Sequence, residues 1–134
     1  MSLDFELLYP PVIRFAAGCR RELPEVLRRG PFAGNSPVLP VMSATVAASA
    51  AGQEVLAGLG ARGVAPFIGI PADPPVAVVE AIRGALRDSG ARVVLAVGGG
   101  SVIDAAKAAA VLVGSEGPVA DYLHGRRALS CPGL

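Results

Sequence analysis

Four consecutive residues, Gly98-Gly99-Gly100-Ser101, have the composition of a phosphate-binding turn. The five apolar residues before them, Val93 to Val97, show no polar alternation and predict a strand covered on both faces, as in a parallel sheet. Three glycines allow a sharp turn and a close approach of backbone to a ligand. We expect Ser101 to be the N-cap of the alanine-rich helix that follows. Because a helix N-terminus presents free N–H groups and favours negative charge, this segment predicts an anion site.

The longer string around this turn is more specific than its glycines. The turn alone is neither Gly-x-Gly-x-x-Gly nor a P-loop, and a purely structural strand-to-helix turn would use the same residues. However, Gly98-Gly99-Gly100-Ser101-Val102-Ile103-Asp104-Ala105-Ala106-Lys107 resembles a signature of the iron-containing (group III, metal-dependent) alcohol dehydrogenase family. The resemblance implies that this segment holds the pyrophosphate of NAD(P).

The elements that would position this turn alternate between strand and helix. This alternation predicts an α/β fold, a Rossmann-like layered sandwich with a mainly parallel sheet. In such sheets ligands bind beyond the carboxyl ends of the strands, where the glycine turn falls. The predicted strands are 12–15, 38–42, 64–70 and 93–97, and the predicted helices are 20–29, 45–59, 73–88 and a last one that ends near 113, with one more helical turn at 121–124.

Three positions in these elements carry their own signals. Pro40 lies within a predicted strand although proline cannot donate to a sheet, so we expect a shortened strand or a Pro40 nitrogen that faces no partner. Gly52 weakens the helix in which it lies. Asp73 and Pro74 predict a helix start, with the aspartate as N-cap and the proline in the first helical position.

Composition narrows the class of protein. The chain has 134 residues and a net charge of +1, which suits a single domain and gives no electrostatic case for nucleic acid or an anionic membrane. The uncharged stretch 30–53 contains three prolines, so we interpret it as loop, strand and helix start and not as a membrane span. Cys19 and Cys131 have no spacing motif, which favours two reduced thiols over the alternative of a disulfide between them. The N-terminal residues, which include Asp4 and Glu6 and no basic region before an apolar run, do not resemble a signal peptide, so we expect a cytoplasmic protein.

The resemblance extends over the whole chain, which looks like the N-terminal, cofactor-binding half of the family. It implies one dinucleotide-binding domain over 1–134, with NAD or NADP as cofactor, and a homodimer. In the family, Fe²⁺ or Zn²⁺ belongs to a C-terminal helical domain that supplies one aspartate and three histidines, so a separate metal-binding half is an expected partner. This chain has a single histidine, His124, which we expect in an exposed loop.

The resemblance also implies roles for individual residues. Gly98, Gly99, Gly100 and Ser101 would cradle the pyrophosphate through their N–H groups. Asp104 would face the cofactor near the nicotinamide ribose, although an acid in the first turn of a helix also stabilises the helix dipole. Lys107, one turn further on, is expected to form a surface salt bridge with Asp104.

Ser43 follows the strand at 38–42, at a position where many family members carry aspartate or glycine. An aspartate there binds the adenine ribose and repels NADP, whereas glycine leaves room for a 2′-phosphate. Serine does neither strongly, so the choice between the two cofactors stays open, with NADP expected to be tolerated.

These observations predict the nucleotide-binding portion of a metal-dependent alcohol dehydrogenase. Completed by a metal-binding domain, it would support hydride transfer between NAD(P) and a small alcohol or aldehyde; alone, it would bind dinucleotide weakly and catalyse nothing. The alternatives are a stand-alone, non-catalytic dinucleotide-binding or interaction module and a fragment of a dehydroquinate synthase-type enzyme.

Overall fold

A computed structural model describes residues 13–129, and its centre is a parallel sheet of three strands in the order β2-β1-β3. The strands are β1 (Val38–Met42), β2 (Phe67–Ile68) and β3 (Val93–Val97). The central strand β1 pairs with β3 along its whole length, and it pairs with β2 only over the last two residues of β1. The predicted Rossmann-like α/β architecture with a parallel sheet is confirmed.

Six α-helices surround this sheet within the described residues. They are α1 (Leu23–Val26), α2 (Ala44–Ala48), α3 (Ala50–Gly58), α4 (Val76–Ser89), α5 (Gly100–Leu112) and α6 (Val119–Leu123). Short 3₁₀ turns occupy Cys19–Glu22, Gly30–Phe32 and Gly60–Arg62. The predicted last helical turn at 121–124 corresponds to α6.

The core is divided between the two faces of the sheet. Leu39 and Val41 belong to the larger cluster, which contains the buried stripes of α4 and α5. Val38 belongs to a smaller cluster with Leu27 and Leu59. Because successive residues of a strand point to opposite faces, the two clusters lie on opposite sides of β1. The alanines on the inner side of α5 allow α4 and α5 to pack closely in the larger cluster.

Pro40 lies in the middle of the central strand, and the strand is not shortened. The carbonyl groups of Val38 and Met42 accept hydrogen bonds from Val64 and Gly69, on the β2 side. In a parallel strand alternate residues bond to the same neighbour, so the missing donor of Pro40 also faces this side. On this side β2 begins only at Phe67, which pairs with Val41. The nitrogen of Pro40 therefore faces no strand partner, which is the second of the two outcomes expected for this proline.

Four predictions about the N-terminal half are wrong in their details. Residues 13–15 form no strand, and residue 12 lies outside the described part of the chain. The helix predicted over 20–29 is a 3₁₀ turn followed by the single turn of α1. The helix predicted over 45–59 is interrupted at Ser49, whose extended backbone separates α2 from α3. The strand predicted over 64–70 shrinks to Phe67–Ile68, since prolines and glycines flank it.

The predicted start of α4 is also wrong. Asp73 has a positive φ of 47°, which an N-cap residue does not adopt, and the helix begins only after Pro75. The predicted end of this helix at residue 88 agrees with its observed end at Ser89. Its stripe of Val79, Ile82 and Leu86 is buried, and it ends at Gly90 in the left-handed conformation, as expected for a helix C-terminus.

The burial of β3 differs from the prediction. The sequence predicted a strand covered on both faces, but all five residues of β3 are only half-buried, because β3 lies at an edge of the described sheet.

Over residues 13–129, no helix combines the length and the hydropathy needed to cross a bilayer. Cys19 is a free thiol, and Cys131 lies outside the described residues, so its pairing is not tested.

Candidate functional site

The candidate site lies where β1 and β3 end side by side. Met42 pairs with Val97, and the next residues are Ser43 and Gly98. From β1 the chain goes outward to β2 and then crosses back to β3 on the other side of β1. The carboxyl ends of β1 and β3 are therefore the point where the strand order reverses, which is where doubly wound folds form a ligand crevice.

Gly98 and Val102 make the tightest contact of the turn. A Cβ atom on Gly98 would lie 2.7 Å from Cγ2 of Val102, closer than real side chains come. Val102 is buried in the larger core cluster. Gly98 therefore lets the first turn of α5 pack against the end of β3, which is a packing role.

Gly99 and Gly100 have a different environment. A Cβ atom on either would meet no other atom within 4 Å, and both residues are exposed. Gly99 has an extended backbone that any residue adopts, so conformational strain does not account for the glycine. Their small size leaves an open, bare stretch of backbone in front of α5.

The N-terminus of α5 is not capped by a side chain. Gly99 is its N-cap, and the N–H groups of Val102 and Ile103 donate to the Gly99 carbonyl at 3.1 and 3.2 Å. Helix geometry leaves the N–H groups of Gly100 and Ser101 without an intrahelical acceptor. The prediction that Ser101 is the N-cap is wrong, because the helix starts one residue earlier and Ser101 lies in its first turn. The resulting pair of free donors over open space fits a phosphate group.

Ser43 terminates the neighbouring strand and caps α2. Its Oγ accepts a hydrogen bond from the N–H of Val46 at 3.2 Å, and its carbonyl accepts one from Ala47 at 2.9 Å. The hydroxyl proton is left available as a donor at the edge of the crevice. The structure thus brings Ser43 and the glycine turn to one edge of the sheet.

Asp104 lies deeper along α5 than predicted. It is the fifth residue of the helix, so it does not belong to the first turn. Its side chain is 77% exposed and pairs with Lys107 at 3.6 Å, which confirms the expected surface salt bridge. A contact between Asp104 and the cofactor stays a prediction.

The part of the chain over 13–129 contains no group of three or more His, Cys, Asp or Glu side chains that could hold a metal ion. His124 follows α6 and is exposed, as predicted.

The sequence did not indicate how α2 is held beside the site. Ser49 donates to the Val46 carbonyl at 2.7 Å and accepts from Gly52 N–H at 3.0 Å, and Gln53 donates to the Ala47 carbonyl at 2.7 Å. A serine three residues before a glycine inside a predicted helix is the capping spacing that would have revealed this interruption.

A parallel sheet flanked by helices, with a glycine turn at the point where the strand order reverses, has the architecture of a Rossmann-like fold. The model of the family described as iron-containing alcohol dehydrogenase matches residues 10–134. The chain belongs to this family of oxidoreductases.

Relatives with known names agree with this placement. The long-chain-alcohol dehydrogenase 1 of Geobacillus thermodenitrificans (strain NG80-2) is 45% identical over 64 residues, which cover 46% of this chain and 16% of the relative. NADH-dependent butanol dehydrogenase A of Thermotoga maritima superimposes with a TM-score of 0.82 at 26% identity, over 96% of this chain and 32% of that one.

A third similar protein shares the fold. Sulfoacetaldehyde reductase of Bifidobacterium kashiwanohense, solved in complex with NAD⁺, gives a TM-score of 0.84 at 24% identity, over 99% of this chain and 35% of that one. The present chain thus spans about a third of the length of these two solved structures.

Proposed function

We propose that this chain is the nucleotide-binding portion of a metal-dependent alcohol dehydrogenase. In this proposal residues 1–134 form one dinucleotide-binding domain, the N-terminal half of a two-domain enzyme. Together with a metal-binding half, it would support hydride transfer between NAD(P) and a small alcohol or aldehyde. Family membership and the open glycine turn support the proposal.

The observation that carries the proposal is the bare N-terminus of α5. Gly100 and Ser101 would donate their free N–H groups to the pyrophosphate, and the helix dipole would favour its negative charge. The absence of a Cβ at Gly99 and Gly100 would let the phosphates approach the backbone. Gly98 would take part by fixing the direction of the turn, since its own Cα is packed against Val102.

Ser43 would lie beside the adenosine ribose, on the strand next to the glycine turn. Its hydroxyl is an uncharged donor, so it would not repel a 2′-phosphate as a carboxylate would. We therefore expect binding of both NAD and NADP. Ser43→Asp should weaken NADP binding more than NAD binding, and a conserved NADP affinity in this variant would contradict the assignment of Ser43.

The metal would act outside this chain. Fe²⁺ or Zn²⁺ in the other half would polarise the substrate oxygen, and this chain would hold and orient the dinucleotide. A homodimer and a cytoplasmic location stay predictions; the free thiol of Cys19 suits the latter.

Isothermal titration of the chain with NAD and with NADP tests the proposal. We expect weak, saturable binding of both dinucleotides and no turnover of alcohols by the chain alone. A lack of heat for both ligands, with the circular dichroism of a folded α/β protein, would contradict it.

A further inference from the structure

The short helix α2 connects Ser43, which the proposed function places beside the adenosine ribose, to the interruption at Ser49. One end of Val46 donates its N–H to Oγ of Ser43, next to the site. The other end, its carbonyl oxygen, accepts both the hydroxyl and the N–H of Ser49. Val46 is thus hydrogen-bonded through both its N–H and its carbonyl, and it links Ser49 to Ser43 across the single turn of α2.

Gly52 packs against the backbone carbonyl of Val46. It is buried, and a Cβ atom on it would lie 1.9 Å from the Val46 oxygen and 2.8 Å from the Val46 carbonyl carbon. Both are backbone atoms, so no rotamer change relieves the overlap. The Val46 carbonyl would have to retreat by roughly 1 Å before even a tight van der Waals contact was reached.

We propose that Gly52 is a positioning residue for Ser43, and thereby for the nucleoside side of the dinucleotide site. The inference rests on the proposed function for its ligand. Gly52 reaches Ser43 through Val46 and through Ala47, whose Cα would lie 3.3 Å from the added Cβ and whose N–H donates to the Ser43 carbonyl. None of the three atoms nearest to this Cβ belongs to the glycine turn after β3. A substitution at Gly52 should therefore weaken binding at the β1 end of the crevice and leave the phosphate turn unchanged.

Two small probes separate the two ends of the site. We expect 5′-AMP to report on the nucleoside side and inorganic pyrophosphate to report on the glycine turn. Gly52→Ala should lower the affinity for 5′-AMP by about tenfold or more, while pyrophosphate affinity stays within about twofold of the wild type. Gly84→Ala is the matched control, because Gly84 lies inside α4 with no atom within 4 Å of its added Cβ. The control should change neither affinity.

A gentler variant covers the case in which Gly52→Ala does not fold. Ser49→Ala removes both hydroxyl hydrogen bonds and should also weaken 5′-AMP selectively, and Ser49→Thr, which keeps the hydroxyl, should restore it. Folded Gly52→Ala or Ser49→Ala variants with wild-type 5′-AMP affinity would overturn the inference. An equal loss for both probes would also overturn it, since that result indicates general destabilisation.

Amide exchange separates this inference from the proposed function. The N–H of Val46, which is bonded to Ser43, should exchange faster in Gly52→Ala than in the wild type or in Gly84→Ala. Unchanged exchange at Val46 would overturn the mechanical link. A wild-type chain that binds neither probe would instead contradict the proposed function, whatever the exchange result.

Discussion

The backbone of Gly98 lies directly against the side chain of Val102, so that a Cβ on Gly98 would be 2.7 Å from Cγ2 and 3.1 Å from Cβ of Val102. This contact joins the end of β3 to the first turn of α5. The three glycines of the turn differ in their surroundings: a Cβ on Gly98 would overlap Val102, whereas a Cβ on Gly99 or Gly100 would meet no atom of another residue of the core within 4 Å.

The first prediction follows from this contact. Gly98→Ala should lower the free energy of unfolding by about 1–3 kcal/mol, because the added methyl group must push α5 away from the strand. The double variant with Gly98→Ala and Val102→Ala should lose less stability than the sum of the losses in the two single variants. A double-mutant cycle measured by urea denaturation tests this. Strict additivity of the two substitutions would show that the contact is not responsible.

The second prediction concerns the arginine that ties α4 to the loop before α6. Arg83 is 4% exposed; its Nη2 donates to the Gly117 carbonyl at 2.7 Å and pairs with Glu80 at 2.8 Å. Glu80 also accepts the Val119 N–H at 2.8 Å, at the start of α6. Arg83→Ala should therefore destabilise the fold by about 2 kcal/mol and release α6.

Urea denaturation and amide exchange in α6 check this expectation. The exposed Arg92→Ala is the control, and its unfolding midpoint should stay close to that of the wild type. An Arg83→Ala protein as stable as the control would mean that the buried guanidinium contributes nothing net.

The third prediction is a pH dependence at the N-terminal 3₁₀ turn. Glu54 on α3 accepts hydrogen bonds from Arg21 at 2.8 Å and from Arg20 at 2.6 Å, and these bonds lower the pKa of its carboxyl group below 4.5. Because the folded-state pKa is depressed, the contribution of Glu54 to stability is present above the unfolded pKa. It is lost as the pH falls through the folded value.

Unfolding measured at several pH values tests this contribution. The wild type should be more stable than Glu54→Gln at pH 7, and the difference should shrink as the solution is acidified below pH 4.5 and also in high salt. A difference that persists unchanged at low pH would exclude the ion pairs as its source.

Which parts of the fold were predictable depends on whether local chemistry or tertiary packing decides them. β3 and α5 were predictable because an uninterrupted apolar run, a glycine turn and an alanine-rich segment all indicate the same units. β1 was predicted despite Pro40, and only the strand order shows why the proline is tolerated: its missing donor faces the side on which β2 has not yet begun.

The errors have equally specific causes. Asp73 and Pro74 have the residue types of a helix start, but Asp73 has a positive φ and belongs to a turn before the helix. The N-cap of the helix is Pro75, two residues after Asp73. The interruption at Ser49 has a local signal in the capping serine, which the prediction of one helix over 45–59 did not use, and it also requires the close approach between Gly52 and the Val46 carbonyl. For the site, sequence identified the glycine turn but not the cap, because Gly99 has no side chain to signal it.

The most direct test of the account is the affinity of the Gly99→Val protein for NAD and NADP, measured by isothermal titration beside the wild type. Gly84→Val is the control, since it adds the same side chain on α4 at a position where an added Cβ likewise meets no neighbouring element within 4 Å. We predict that Gly99→Val loses at least about tenfold in affinity for both dinucleotides, with unchanged helical circular dichroism, and that the control binds as the wild type does. Wild-type affinity in a folded Gly99→Val protein would contradict the phosphate-binding role of the turn.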